Sequence, residues 1–201
     1  LTPVVVTGVT PTITEIDKEY AVIHMSYVVE SMNDKKSHYY QVDEYYNVTY
    51  NRSSETVKLL AFDRYQESFF DSGYISKDRN SISMGVTNEP AEYVTSEDYG
   101  ILAFVRLGQL WMYKYNDSSL TNIFSYPQDS YSDARTLNTN LDINIADMDE
   151  DGNIYFVVYG YMNRGVHEGK NGMSLYYYSA ESMTTQELFF VECDENYDIM
   201  K

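Results

Sequence analysis

Two short stretches of this chain gather the residue types that do chemistry. The first runs from Tyr161 to Gly172 and packs Asn163, Arg164, His167, Glu168 and Lys170 among Gly165, Gly169 and Gly172. That concentration stands out in a chain with only 14 Lys+Arg and three His. An arginine can grip a carboxylate or phosphate through two parallel N–H bonds, and a neighbouring His and Glu can exchange protons or hydrogen-bond a sugar. Glycines let the backbone turn at φ > 0 and bring peptide groups close to a ligand. Asn163, Arg164, His167 and Glu168 are therefore the candidate ligand-binding residues. The competing reading is a long solvated hairpin with ordinary turn residues.

The second stretch, Asp147-Met148-Asp149-Glu150-Asp151-Gly152-Asn153, sets carboxylates at alternate positions ahead of a glycine. Ca²⁺ takes six to eight oxygen ligands, and such spacing lets a tight loop wrap side chains around one ion. Asp147, Asp149 and Asp151 are the candidate Ca²⁺ ligands. The twelfth position from Asp147 is Val158, where an EF-hand needs a bidentate glutamate, so that motif is excluded. An Asp-Gly-Asn turn between two strands explains the same residues without an ion.

Other chemistry is poorly served. The three histidines, His24, His38 and His167, lack the spacing of a zinc site. No Gly-x-Ser-x-Gly elbow and no phosphate-cradling glycine loop occurs. The single cysteine, Cys193, follows the apolar run Leu188-Phe189-Phe190-Val191 and reads as a buried structural thiol. A net charge of −17 repels phosphate backbones and anionic bilayers, which argues against nucleic acid and membrane surfaces as partners. Cations such as Ca²⁺, or a basic partner, fit that balance better, while the aromatic runs Trp111 to Tyr115 and Tyr176 to Tyr178 offer rings for a carbohydrate or a protein partner to stack on. No apolar stretch approaches the roughly 18 residues a membrane-spanning helix needs. The first residue is Leu1 rather than Met, and the reading expects a segment of a larger protein whose leader or anchor lies outside it.

The elements that must carry these residues are strands. Helical periodicity is scarce, while 22 tyrosines supply rings that pack one face and reach water with the hydroxyl. Tyr20 to Val29, His38 to Tyr50 and Thr56 to Phe62 read as three strands of a meander. In the second, positions 40, 42, 46, 48 and 50 form one apolar face. Asp63 to Phe70 is expected as a short helix or irregular loop, followed by a short strand at Tyr74-Ile75. Pro127 to Asn140 is expected as a polar connection.

The last hundred residues read as one meander written twice. Ile101 to Val105 aligns with Asn153 to Val157, Leu110 to Tyr113 with Leu175 to Tyr178, and Ile123-Phe124 with Leu188-Phe189. The first match has an offset of 52 residues and the later ones 65, so the second copy carries 13 more between Val157 and Leu175. The copies span about residues 91–127 and 141–193. Four strands in about 50 residues resembles a propeller blade, although no Trp-Asp dipeptide, kelch glycine pair or Asp-box accompanies it.

The expected fold is therefore all-β, antiparallel four-stranded meanders in a propeller-like array over residues 1–201 as a single domain, with a two-sheet β-sandwich as the alternative. The expected function is a non-catalytic ligand- or partner-binding module of an extracytoplasmic bacterial protein. The alternatives are a carbohydrate-active enzyme using carboxylates such as Glu168, and a structural blade set completing a larger propeller.

Overall fold

The computed structural model describes residues 2–33, 36–79, 81–83, 92–126 and 141–193, to which all structural statements refer. The chain is all-β, and among the described residues its only helical element is one 3-10 turn at Ser72–Tyr74. All strand pairs are antiparallel. Contacts group the chain into two units, one up to Ser72 and one from Gly73 onward.

The first unit is one five-stranded sheet. Its strands are β1 (Val4–Val5), β2 (Thr12–Ile16), β3 (Tyr20–Asn33), β4 (Lys36–Asn51) and β5 (Thr56–Phe70), with β4 between β3 and β5. β3, β4 and β5 are longer than the alternation alone suggested. The correction is largest at Asp63 to Phe70, which is strand rather than helix or loop. Its side chains are polar on both faces, so it carries no two-residue apolar period; the ladder to β4 holds it instead. That ladder shifts register twice, between Asn47 and Val48 and between Tyr39 and Tyr40. At the second shift Phe69 and Phe70 are both buried, and Phe70 meets Tyr39 edge-on at 6.3 Å. Ile75 makes a lone bridge to Ile82 instead of the expected strand.

Of the expected even-numbered apolar face of β4, Val42 is fully buried, Tyr40, Tyr46 and Val48 are half-buried, and Tyr50 at the strand end is exposed. Glu44, on the same face, is buried as well. Its carboxylate accepts from the Tyr46 hydroxyl at 2.8 Å and stands 3.8 Å from the Arg64 guanidinium. The bond to Glu44 raises the Tyr46 pKa, and burial followed by Glu44 raises that of Tyr27. A buried carboxylate held this way is satisfied rather than reactive.

The second unit holds two four-stranded meanders. One is β6 (Tyr93–Thr95), β7 (Ile101–Arg106), β8 (Gln109–Lys114) and β9 (Ser119–Ser125). The other is β10 (Leu141–Met148), β11 (Ile154–Met162), β12 (Lys170–Ser179) and β13 (Thr184–Glu192). They share one core, in which Leu110, Met112 and Phe124 face Ile154, Phe156 and Val158. Phe156 is stacked on Tyr176 at 5.3 Å and meets Phe124 at 5.2 Å. First strand lies beside first strand and fourth beside fourth, β6 by β10 and β9 by β13.

The β7–β8 turn is only Leu107-Gly108, both at positive φ (53° and 67°), the tight turn whose twist suits a hairpin. The equivalent β11–β12 hairpin is longer in both strands and in its turn. The residues between Val157 and Leu175 therefore extend a hairpin rather than forming a free loop. The polar connection expected over 127–140 lies outside the described residues.

Candidate functional site

The β11–β12 turn brings Asn163, Arg164, His167 and Glu168 together, and the side chains of Arg164, His167 and Glu168 are spent on the protein itself. Arg164 Nη1 donates to Glu168 Oε2 at 2.7 Å, an exposed i,i+4 pair. The Tyr126 hydroxyl donates to the Arg164 carbonyl, tying the turn to the end of β9. Gly165 and Gly169 take φ of 85° and 88°, and the Gly169 N–H closes the turn onto the Met162 carbonyl at 2.8 Å. The His167 ring lies flat on Phe190, 3.9 Å between centroids, with Nε2 3.0 and 3.2 Å from the two Glu187 oxygens. The buried Ser174 hydroxyl donates to the same carboxylate at 2.6 Å. Here the glutamate sits between serine and histidine. An activated serine needs the histidine beside its hydroxyl, so this trio clamps the turn instead of forming a nucleophile. Asn163 opens the turn, half-buried.

Asp147, Asp149 and Asp151 do not converge on a common point; among the described residues no three His, Cys, Asp or Glu side chains are grouped to hold a metal. Asp147 lies within β10, opposite Tyr155. Asp149 is spent on the turn: its carboxylate accepts from the N–H of Asp151 (3.0 Å), the N–H of Asn153 (2.9 Å) and Asn153 Nδ2 (2.8 Å). The turn reading of this segment accounts for every one of those bonds. The side-chain bond from Asn153, seconded by the backbone N–H groups, lowers the Asp149 pKa from the ordinary 3.8.

A pH dependence follows from that lowering. The folded-state pKa lies below the unfolded value, so the ionised Asp149 stabilises the fold above pH 3.8 and stops doing so as pH falls through the folded value. Asp149→Asn should therefore lower the unfolding midpoint by about 1 to 3 °C at pH 6, a modest gap because the group is solvent-screened. The gap should close on titration toward pH 2. Comparing the two proteins at each pH cancels the change in overall charge, and a constant gap would refute the assignment.

The grouping that sequence reasoning missed lies on the opposite face of the first sheet from Glu44. The β4–β5 register pairs Asp43 with Tyr65 and Tyr45 with Asp63. All four side chains project from the same face, tyrosine diagonal to tyrosine and aspartate diagonal to aspartate. They line a shallow recess of about 390 Å³. The Tyr45 and Tyr65 rings meet at 78° with centroids 6.0 Å apart. On β3, His24 stacks on Tyr45 at 4.5 Å and holds Asp43 Oδ1 at 2.8 Å through Nε2. Among the described residues the Asp63 carboxylate has no hydrogen-bond or ion-pair partner. His38 similarly pairs with Asp71 at 2.6 Å, so both histidines of this unit are half-buried partners of aspartates. Cys193 is half-buried rather than buried.

Comparison of the chain with protein-family models, with curated proteins and with solved structures finds no match. Fold and site together define an all-β protein of antiparallel meanders with a tyrosine–carboxylate recess on one sheet face. No helix among the described residues is long and apolar enough to cross a membrane.

Proposed function

We propose that the chain is a non-catalytic ligand-binding module of an extracytoplasmic bacterial protein, built on propeller-like stacked sheets. The observation that carries the binding reading is the recess lined by Asp43, Tyr45, Asp63 and Tyr65, a concave surface with open aromatic and carboxylate groups. The propeller-like reading is supported by two consecutive four-stranded meanders stacked first strand to first strand and fourth to fourth. The placement outside the cytoplasm rests on the acidic, tyrosine-rich composition.

A ligand at 100 times its Kd stabilises a protein by about 2.7 kcal/mol, several degrees in midpoint for this size. A thermal-shift screen against oligosaccharides, cell-wall fragments, amines and basic peptides should yield a hit that Tyr65→Ala abolishes. Turnover of a glycoside that Glu168→Gln removes would instead establish the enzyme alternative.

The structural-blade reading has one specific observation in its favour. The meander β6–β9 is buried on both faces, Ala103 and Met112 on one, Phe104 and Trp111 on the other. The meander β10–β13 turns Phe189, Val191, Tyr155 and Tyr161 outward and leaves them exposed. A blade awaiting a neighbour has that asymmetry. Sedimentation as a monomer at high concentration, unchanged by Phe189→Lys, would count against it.

A further inference from the structure

We infer that the recess on the first sheet is a site for an alkylammonium group, such as a lysine side chain or a methylated amine. The inference deepens the binding-module reading and rests on it. Two crossed rings and two carboxylates make a corner rather than a platform. Tyr45 and Tyr65 stand 78° apart and form its walls. Asp43 and Asp63 occupy the alternate positions of the same four-residue square.

Each component favours a soft, compact cation. The ring faces attract positive charge through their quadrupoles, most strongly when several surround the same ion. The carboxylates add a formal charge of −2 that the chain only partly answers. The Asp43 carboxylate meets His24, while the Asp63 carboxylate has no hydrogen-bond or ion-pair partner among the described residues. The nearest basic residue on β5, Arg64, alternates to the opposite face and is directed at Glu44. Placing a cation there relieves two like charges held diagonally across a strand pair.

Other ligand classes fit less well. Ca²⁺ needs six to eight oxygens, and this corner offers two carboxylates. A pyranose stacks on an open, flat platform, but His24 already covers one face of Tyr45, and the Tyr45 and Tyr65 rings stand 78° apart, so the two together offer no such platform. His24 also has a clear task here. It backs the Tyr45 ring and fixes Asp43 through Nε2, so the wall is set before a ligand arrives.

The test is NMR titration of the tyrosine ring protons with tetramethylammonium, with Nα-acetyl-lysine methylamide, and with the neutral isostere of each. The two cations should bind in the millimolar range, weaken with added salt and shift the Tyr45 and Tyr65 signals, while the isosteres do not. Tyr65→Ala and Asp63→Asn, both exposed and expected to leave the fold intact, should each weaken binding about tenfold. Tighter binding of a lysine peptide than of tetramethylammonium would identify a protein source, and the reverse a small quaternary amine. Equal response to cation and isostere overturns the ammonium assignment. A neutral oligosaccharide that binds there and is lost in Tyr65→Ala would also overturn it while preserving the module. If nothing in either panel perturbs these rings, both readings fall.

Discussion

Replacing Phe156 with alanine is expected to remove about 3–5 kcal/mol of stability, the largest single loss among the substitutions considered. The ring is fully buried in the core shared by the two meanders of the second unit. It is stacked on Tyr176, its direct partner across the β11–β12 pair, and meets Phe124 of the facing sheet at 5.2 Å. Truncation therefore loses contacts within one sheet and between the two. Collapse is hindered because the cavity would be bounded by two ladders whose backbone bonds fix their spacing. Phe156→Leu keeps most of the volume and should cost only about 1 kcal/mol. Denaturant unfolding would show the midpoint falling with the slope unchanged, the mark of a stability effect alone. A loss below about 1 kcal/mol for the alanine variant would mean that the sheets are not stacked through this ring.

Why Phe156 was legible and the recess was not is a matter of range. Ile154 to Met162 is an almost unbroken run of apolar and aromatic residues, and the structure places β11 on those same residues. Ile101 to Val105 is another such run, within β7, and Phe104 and Phe156 are both fully buried. Local composition carries that information. The square of Asp43, Tyr45, Asp63 and Tyr65 depends instead on the register between β4 and β5. That register is set by an irregularity between Asn47 and Val48, where Leu60 is the unmatched residue. A slip of one residue would send Tyr65 and Asp63 to the other face. Nothing in the spacing of residues 43 to 65 announces that irregularity. The second half of β5 hid the site further, because Arg64 and Gln66 on one face and Asp63 and Glu67 on the other erase any apolar period.

The hairpin shows the converse case. The glycines at 165 and 169, and the Arg164–Glu168 spacing, were visible in the chain and are used as a turn. What sequence could not convey is that Glu187, 20 residues further on, would claim His167. His167, one of the residues that suggested a ligand site, is satisfied from within once β13 pairs with β12.

Gly172→Ala should destabilise the protein by about 1–3 kcal/mol and loosen the same hairpin, although the general expectation for such a change is a gain. Replacing a strand glycine normally recovers roughly 0.4–1 kcal/mol by restricting the unfolded chain. Gly172 has no positive φ to forbid a side chain, so space alone decides the sign. An added Cβ would lie 2.1 Å from two ring carbons of Phe190 and 2.8 Å from the Val191 carbonyl oxygen. The first approach is far inside van der Waals contact, and the ring must leave. Phe190 sits diagonally across the β12–β13 pair, covering the glycine and carrying the His167 ring 3.9 Å away. Its displacement therefore strips His167 of its support while leaving the Glu187 bond under strain. Overpacking exceeds the entropic gain, and the cost reaches the turn. Amide exchange should accelerate at Gly169 and Lys170, whose N–H groups close the turn on Met162 and His167. In a Phe190→Ala background the ring clash is gone and only the approach to Val191 remains. There the alanine should cost at least 1 kcal/mol less, a coupling that a double-mutant cycle measures directly. Additive losses would show that Phe190 does not cover Gly172, and the clamp on His167 would then need another basis.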